Sequence, residues 1–495
     1  MNRLAHLVLP LTIALAACQV GSDPDLDQTG DQPELPEQND ALVPAMEIPT
    51  PEGWGDELPI VPEGYTVSAI AQDLKIPRQT LVLPNGDILV AEGSGGKAPK
   101  LRPKDVIAGW IKKRGKSPVE GGDRLTLLRD EDGDGQTDLQ TTFIEGLDAP
   151  YGLALVDGTL YVANQGNLVS FEYTEGATRI AGSGTEVTKL PAKINHHWTK
   201  AMTASPDGSK LYVGIGSNSN VGERGMDVEE DRAVIWEIDR ETGASRIFAS
   251  GIRNPTALAF DPWNEQLWAV VNERDELGPQ LVPDYLTSVR DGAFYGWPYS
   301  YYGQNVDPRI KPARPDLVKK AVVPDYALGS HVAALGVDFT TDGGLGGRFG
   351  EGAFVGMHGS WNRADPSGYK VVFVPFRGGR PSGEPIDLLT GFLKDGHARG
   401  RPVGVTYDEA RGVLYVADDV SNTVWRIAPR GAARRNSSGD TTQLPGDPRP
   451  PSTAPTTRKL RLVAPPETGM ALACIGCAPL VQISNRTLNS LFGIE

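Results

Sequence analysis

Two histidines stand side by side in INHHWTKAM (194–202), in a chain that has only six. A neutral imidazole accepts a proton near neutral pH. His196 and His197 are therefore either a base with its neighbour or two polar residues at the end of a strand. Four other segments carry residues of similar use: GIRNP (251–255), NERDELG (272–278), MHGSWNR (357–363) and HARGRPVG (397–404). Between them they supply Arg253, Asn254, Glu273, Arg274, His358, Arg363, Arg399 and Arg401. If these segments converge, the space between them is rich in Arg and His and suits a small anion. If they do not, the arginines are solvated or join neighbouring elements as ion pairs. A further segment, DEDGDGQTD (130–138), spaces Asp130, Asp132, Asp134 and Asp138 as in an EF-hand-like calcium loop, with Gly135 at the turn. Thr141 stands where such a loop needs a bidentate Glu, so the fit is to a partial, structural calcium loop or to an acidic solvated turn.

Something must hold these segments, and an imperfect repeat supplies it. TLVLPNGDILVAEG (80–93), YGLALVDGTLYVANQG (151–166) and AMTASPDGSKLYVGIGS (201–217) each read as strand, turn, strand. ALAFDPWNEQLWAVVNE (257–273), LGVDFTTDGGLGGRFGEGAFVGMHG (335–359) and VGVTYDEARGVLYVADD (403–419) repeat the pattern. Pro, Asp, Asn and Gly set the turns, and the alternating apolar residues bury one face. A single hairpin buries too little to stand alone, so six copies imply six sheets stacked around an axis. The expected fold is all-β, a six-bladed β-propeller over 61–430. The candidate segments flank the hairpins, where propeller loops meet near the axis. The 58 glycines and 40 prolines suit such a turn-rich chain.

The ends differ in composition. MNRLAHLVLPLTIALAAC has a basic residue, a short apolar run and small residues before Cys18, the pattern of an export signal over 1–18. Leu15-Ala16-Ala17-Cys18 resembles a bacterial lipobox, which implies a lipidated Cys18 and a cell-envelope lipoprotein, in the outer membrane and facing the periplasm. Membrane attachment would then be through the lipid anchor alone. No Lys or Arg occurs from Gln19 to Asp73, and residues 19–60 read as an acidic, proline-containing tether. Residues 431–495 open with a second low-complexity stretch, so both extensions are expected to be disordered. Cys474 and Cys477 form CIGC without the following histidine that haem attachment needs, which leaves a local disulfide or a dithiol. A basic insertion, KAPKLRPKDVIAGWIKKRGK (97–116), reads as a lid or a solvated face. The net charge of −15 argues against nucleic acid as a partner.

GIRNPTALAFDP, NERDELG and DGAFYGWP (291–298) together resemble the glucose/sorbosone dehydrogenase family, with the sorbosone type as the nearest branch. The resemblance spans about 61–430. It implies a propeller that binds pyrroloquinoline quinone (PQQ) and calcium and oxidises a sugar or a sugar-derived aldehyde or alcohol. It assigns His197 as the base that takes the substrate proton, with Arg253 beside the reacting centre. Arg253 and Asn254 would hold the quinone oxygens, and Arg399 and Arg401 the cofactor carboxylates, with His358 and Arg363 as further contacts. Calcium would take backbone oxygens near Glu273 and Arg274. Electrons would pass to a separate acceptor, a quinone or a cytochrome. Two other functions stand as alternatives, although the axial loops offer mainly Arg and His. One is a calcium-dependent lactonase-type hydrolase, which needs carboxylates at the axis. The other is a non-catalytic envelope propeller that binds carbohydrate or protein.

Overall fold

The structure is a computed structural model that describes residues 23, 26–39, 48–96, 106, 109–110, 113–341, 343–363 and 365–431. The expected signal peptide, Cys18 and the Cys474/Cys477 pair lie outside the described residues, as does the tail beyond Gly431. Among the described residues no helix is long and apolar enough to cross a membrane.

Among the described residues, six antiparallel sheets, each built on four principal strands, account for the body of the molecule. Blade 1 runs Pro77–Val82, Ile88–Glu92, Arg124–Arg129 and Leu139–Glu145. Blade 2 runs Gly152–Val156, Thr159–Ala163, Asn167–Glu172 and Thr185–Lys189, and blade 3 Met202–Ala204, Lys210–Ile215, Val234–Asp239 and Ser245–Ser250. Blade 4 is Pro255–Phe260, Leu267–Val271, Pro283–Ser288 and Tyr326–Ser330; blade 5 is Ala334–Thr340, Gly352–Met357, Lys370–Arg377 and Ile386–Leu389. Blade 6 takes Pro402–Asp408, Val413–Asp418 and Thr423–Pro429 from its own hairpins and its outer strand, Tyr65–Ala71, from the other end of the chain. Each of the six repeats seen in the sequence is the first hairpin of one blade.

The first strands touch in cyclic order from blade 1 to blade 6 and back to blade 1, so the ring is closed. Thr80 of blade 1 and Thr406 of blade 6 join across the seam, Oγ1 to Oγ1, at 2.7 Å. First strands approach so closely that a Cβ on Gly336 would strike the carbonyl of Val403, and one on Gly404 that of Arg78. The apolar core is correspondingly divided into six clusters, one between each pair of adjacent blades. Leu89, Leu125 and Phe143 of blade 1 meet Leu153, Leu160 and Val169 of blade 2, for example. Second strands such as Ile88–Glu92 are buried on both faces, whereas outer strands such as Ser245–Ser250 are half exposed.

The register places the candidate segments. In each blade the start of the first strand lies beside the end of the second: Gly152 opposite Ala163, Pro255 opposite Val271, Pro402 opposite Asp418. Every segment that precedes a first strand or follows a second strand therefore emerges on one face of the ring, around the axis. All five Arg- and His-bearing segments are of this kind.

The stretch expected to be a solvated tether is partly built onto the propeller. Thr29–Gly30 pairs with the outer edge of blade 4, and Thr50–Pro51 runs parallel to His397–Ala398. Trp54 is buried edge-on against Phe392 and Trp425. Composition misleads here because a few well-placed residues in an acidic stretch are enough to dock it.

Candidate active site

His197 sits in the loop that leads into the first strand of blade 3. Its Nδ1 lies 2.8 Å from the carbonyl oxygen of Ser217 and 3.0 Å from Ser217 Oγ. A carbonyl only accepts, so Nδ1 carries the hydrogen. The Ser217 hydroxyl gives its own hydrogen to the carbonyl of Ser219 at 2.6 Å and can only accept from the ring. In the neutral imidazole the lone pair is then on Nε2. Burial pushes the pKa of His197 well below the ordinary imidazole value, and Arg253, His196 and Arg232 push the same way. The result is a neutral ring with a defined tautomer. His196 stacks edge-to-face on it at 4.7 Å, and the His196 amide donates to Asn218 Oδ1.

Asn254 is next to this ring: a Cβ on Gly216 would strike both the Asn254 amide oxygen and His197 Cβ. Asn254 is buried, and its Oδ1 has no hydrogen-bond partner. Such an orphan in a polar setting marks a place for a ligand or an ordered group. Its neighbour Arg253 is more committed. Nε donates to the Asn220 carbonyl, Nη1 to the carbonyls of Asn272 and Glu273, and Nη2 to Asn220 Oδ1. Arg253 thus ties the blade 3 and blade 4 loops together, and its Nη2 also faces the Asp275 carboxylate at 3.9 Å.

On the opposite side, His358 Nε2 donates to Asp419 Oδ1 at 2.9 Å, and Arg78 Nη1 donates to Asp419 Oδ2 at 2.6 Å. Burial pushes Asp419 up, but His358 and Arg78 outweigh it and hold the carboxyl at about 2. Burial lowers His358 against the pull of Asp419. The Arg78 guanidinium also covers the ring of Trp198 at 5.3 Å, which links this group to the His197 loop. Arg401 is buried, stacks on Tyr369 at 4.6 Å and donates to Tyr369 Oη and the Gly359 carbonyl, while its Nε is without a partner. Arg363 donates to the carbonyls of Pro279 and Asp365.

One expected role is not matched by the geometry, and a second is obstructed at one of its two backbone oxygens. Arg399 does not join Arg401: its guanidinium forms a bidentate pair with Glu57 at 2.6 and 2.9 Å and covers Trp54. That partner lies in the docked N-terminal strap, which composition had assigned to solvent. The Glu273 carbonyl accepts from Arg253 at 2.6 Å, so a divalent ion on that oxygen would face a guanidinium. Arg274 turns away from the axis into a buried network with Glu273, Asp307 and the carbonyls of Pro298 and Ser300. Oxygen donors suited to calcium do exist beside it. The Asp275 carboxylate accepts from Asn362 Nδ2 at 2.9 Å, and the buried amide oxygens of Asn362 and Asn272 have no partner.

The acidic loop 130–138 is remote from these groups. It is the exposed turn between the third and fourth strands of blade 1. Carboxylate oxygens of Asp130, Asp132 and Asp138 lie within 4.8 Å of one another, and Asp134 is outside that group. Asp130 and Asp132 accept backbone amides of the turn, and Asp134 caps the Gln136 amide. Thr141 pairs with Leu127 within the sheet, so no helix follows as in an EF-hand.

Several residues of the face escape a sequence reading. Ser217, Asn220, Arg78 and Asp419 have no spacing of their own and become partners only when the ring closes. His331 could have been noticed, being one of six histidines. It is buried, donates from Nε2 to the Gly278 carbonyl and lies near Asn362 and Asp275.

A TrAA12-like family model matches residues 120–283 and 316–430, more than half of the chain. A Borreliella burgdorferi protein described as uncharacterized is 27% identical over 299 residues, spanning 58% of this chain and 77% of that protein. A pyrroloquinoline quinone-dependent pyranose dehydrogenase of Coprinopsis cinerea is 37% identical over 126 residues, which cover 22% of this chain but only 16% of the relative. A calcium structure of the Trichoderma reesei family AA12 carbohydrate-active enzyme superposes with a TM-score of 0.60 at 20% identity, over 75% of this chain and 97% of that one. The fold is shared with that enzyme, and by the extent of the family match this chain belongs to the TrAA12-like family.

Proposed function

We propose that this protein is a PQQ- and calcium-dependent oxidoreductase of a sugar or a sugar-derived alcohol or aldehyde, sorbosone among them, with His197 as its base. The observation that carries the reading is the fixed tautomer of His197, whose Nε2 is left as a proton acceptor beside Asn254 and a ring of cationic side chains. The quinone-dependent sugar dehydrogenase among its relatives and the calcium-bearing family structure support the choice of cofactors. When bound, PQQ supplies a two-electron acceptor for the hydride equivalent of the substrate.

The chain's own residues have distinct tasks in this reading. His197 Nε2 would take the hydroxyl proton from oxygen while the carbon that bears that oxygen gives up its hydride equivalent. Asn254 and Arg253 would hold the quinone oxygens, and Arg401 would meet a cofactor carboxylate. Asp275, Asn272 and Asn362 would hold calcium. The surrounding arginines favour an anionic cofactor over a neutral sugar, which agrees with a tightly held cofactor and an exchangeable substrate. Electrons leave to a separate quinone or cytochrome, and Cys18 carries the lipid that keeps the enzyme in the envelope.

The test is a PQQ titration into chelator-treated protein lacking residues 1–18, with and without calcium, followed by quinone absorbance. Saturable binding that requires calcium is expected, followed by dye reduction with one or more sugars. A folded sample that takes up no quinone under either condition would rule the reading out.

A further inference from the structure

The loop that carries His197 is tied down by a buried cation that has no hydrogen-bonded carboxylate partner among the described residues. Arg232 lies in the connector between the second and third strands of blade 3, just after the turn Met226–Glu229, and is 5% exposed. Its Nε donates to the Gly216 carbonyl at 2.8 Å, Nη1 to the Pro191 carbonyl at 2.7 Å and Nη2 to the His197 carbonyl at 2.8 Å. Both terminal nitrogens also lie 3.3 Å from Asn195 Oδ1. The nearby carboxylate of Glu229 is spent elsewhere, accepting from the Asn218 amide and the Ser219 hydroxyl.

Burying a guanidinium against neutral acceptors alone is costly, and burial lowers its pKa to about 10. An apolar side chain of similar volume would fill the space more cheaply. What it could not do is hold four oxygens from two loops in one plane, which is what the guanidinium fork does. Two of those oxygens matter for the base. One belongs to His197 itself. The other belongs to Gly216, the residue before Ser217, which receives the His197 Nδ1 hydrogen. A single rigid group therefore fixes the backbone on both sides of the hydrogen bond that selects the tautomer.

We propose that Arg232 is a positioning residue for His197, holding the His197 and Gly216 carbonyls in one fork so that Nδ1–H stays on Ser217 and Nε2 stays open. This rests on the reading of His197 as the base. Lys200 provides the control. It is fully buried in the same loop and donates to Asn195 Oδ1 and the Trp198 carbonyl, both at 2.9 Å, without touching His197 or Gly216.

The experiment compares Arg232→Met, Arg232→Lys and Lys200→Met in the full chain, by thermal unfolding, by the proton NMR signal of His197 Nδ1–H without cofactor, and by steady-state kinetics after loading with PQQ and calcium. Arg232→Met should lose that NMR signal and about 100-fold in kcat, with KM changed less than about twofold. Arg232→Lys keeps the charge but not the fork and should behave like Arg232→Met. Lys200→Met should keep the signal and most of kcat. The proposal is overturned if Arg232→Met, still folded, retains the signal, if Arg232→Lys restores wild-type behaviour, or if Lys200→Met falls as far. Should Arg232→Met not fold, Arg232→Lys and Lys200→Met decide by the same signal. Full turnover in His197→Asn would instead refute the base assignment and leave the signal to judge the positioning.

Discussion

His197 and His358 are both imidazoles held at one nitrogen, yet their partners differ in kind. His358 faces the Asp419 carboxylate, which favours its charged form, whereas His197 faces a carbonyl and a hydroxyl and is flanked by cations. A neutral ring can take a proton, and burial lowers both rings; at His358 the Asp419 carboxylate opposes that shift, whereas at His197 the neighbouring cations add to it. Replacing His197 with Asn should lower kcat by about 100- to 10,000-fold, with quinone binding kept, as measured by stopped-flow reduction of the loaded enzyme. The sign of the pH effect follows. Because the folded pKa lies below the ordinary value, the base form persists as pH falls through about 6.5, and kcat/KM should decline only at lower pH. An acid limb at or above that value would contradict the assignment. The same shift acts on stability: below about 6.5 the unfolded ring binds a proton that the folded one refuses, so this residue lowers stability as pH falls. The histidine pair and the Arg253–Asn254 dipeptide could be read from the sequence because each brings its chemistry with it. Ser217 and Arg232, which decide what His197 can do, could not, because their role exists only in the folded contact.

At the scale of elements, the N-terminal strap shows where composition stops being informative. A stretch without a single basic residue reads as solvated, yet Trp54 anchors it in the core between blades 5 and 6 and Glu57 captures Arg399. Trp54→Ala should lower stability by about 3–5 kcal/mol, the usual cost of deleting a buried aromatic, visible as a drop in the denaturant midpoint. A change within about 0.5 kcal/mol would mean that the strap is not held there. The consequence for the site is indirect but specific. With Glu57 in place Arg399 is not available to a ligand, so the paired arginines of HARGR divide their work, one to the strap and one, Arg401, to the axial face. The family resemblance implied the same task for both, because a local motif carries no information about partners more than 300 residues away.

For the molecule as a whole, six first hairpins were visible in the sequence and six blades are present. The hairpins are legible because both of their strands are buried and their turns are compact. Outer strands are half exposed, and a connector such as 216–233 has no repeating pattern, so neither announces itself. The closure also has no local signature, since Tyr65–Ala71 pairs antiparallel with Thr423–Pro429 from the far end of the propeller. Removing residues 1–72 should leave blade 6 with an open edge and give aggregation on gel filtration, whereas ending the chain at residue 431 should leave a monodisperse fold.

That closure sets a schedule for how the molecule comes into being. The strand that seals the ring is synthesised before any blade and finds its partner after all of them, so it must wait unpaired while nearly the whole propeller is made. Contacts so far apart in the chain form slowly. Until residues 423–429 arrive, the early strand and the growing edge of the last blade are both adhesive surfaces. A chain that leaves the ribosome in this order stays open until its last blade is complete, a state that calls for protection until the seal is made.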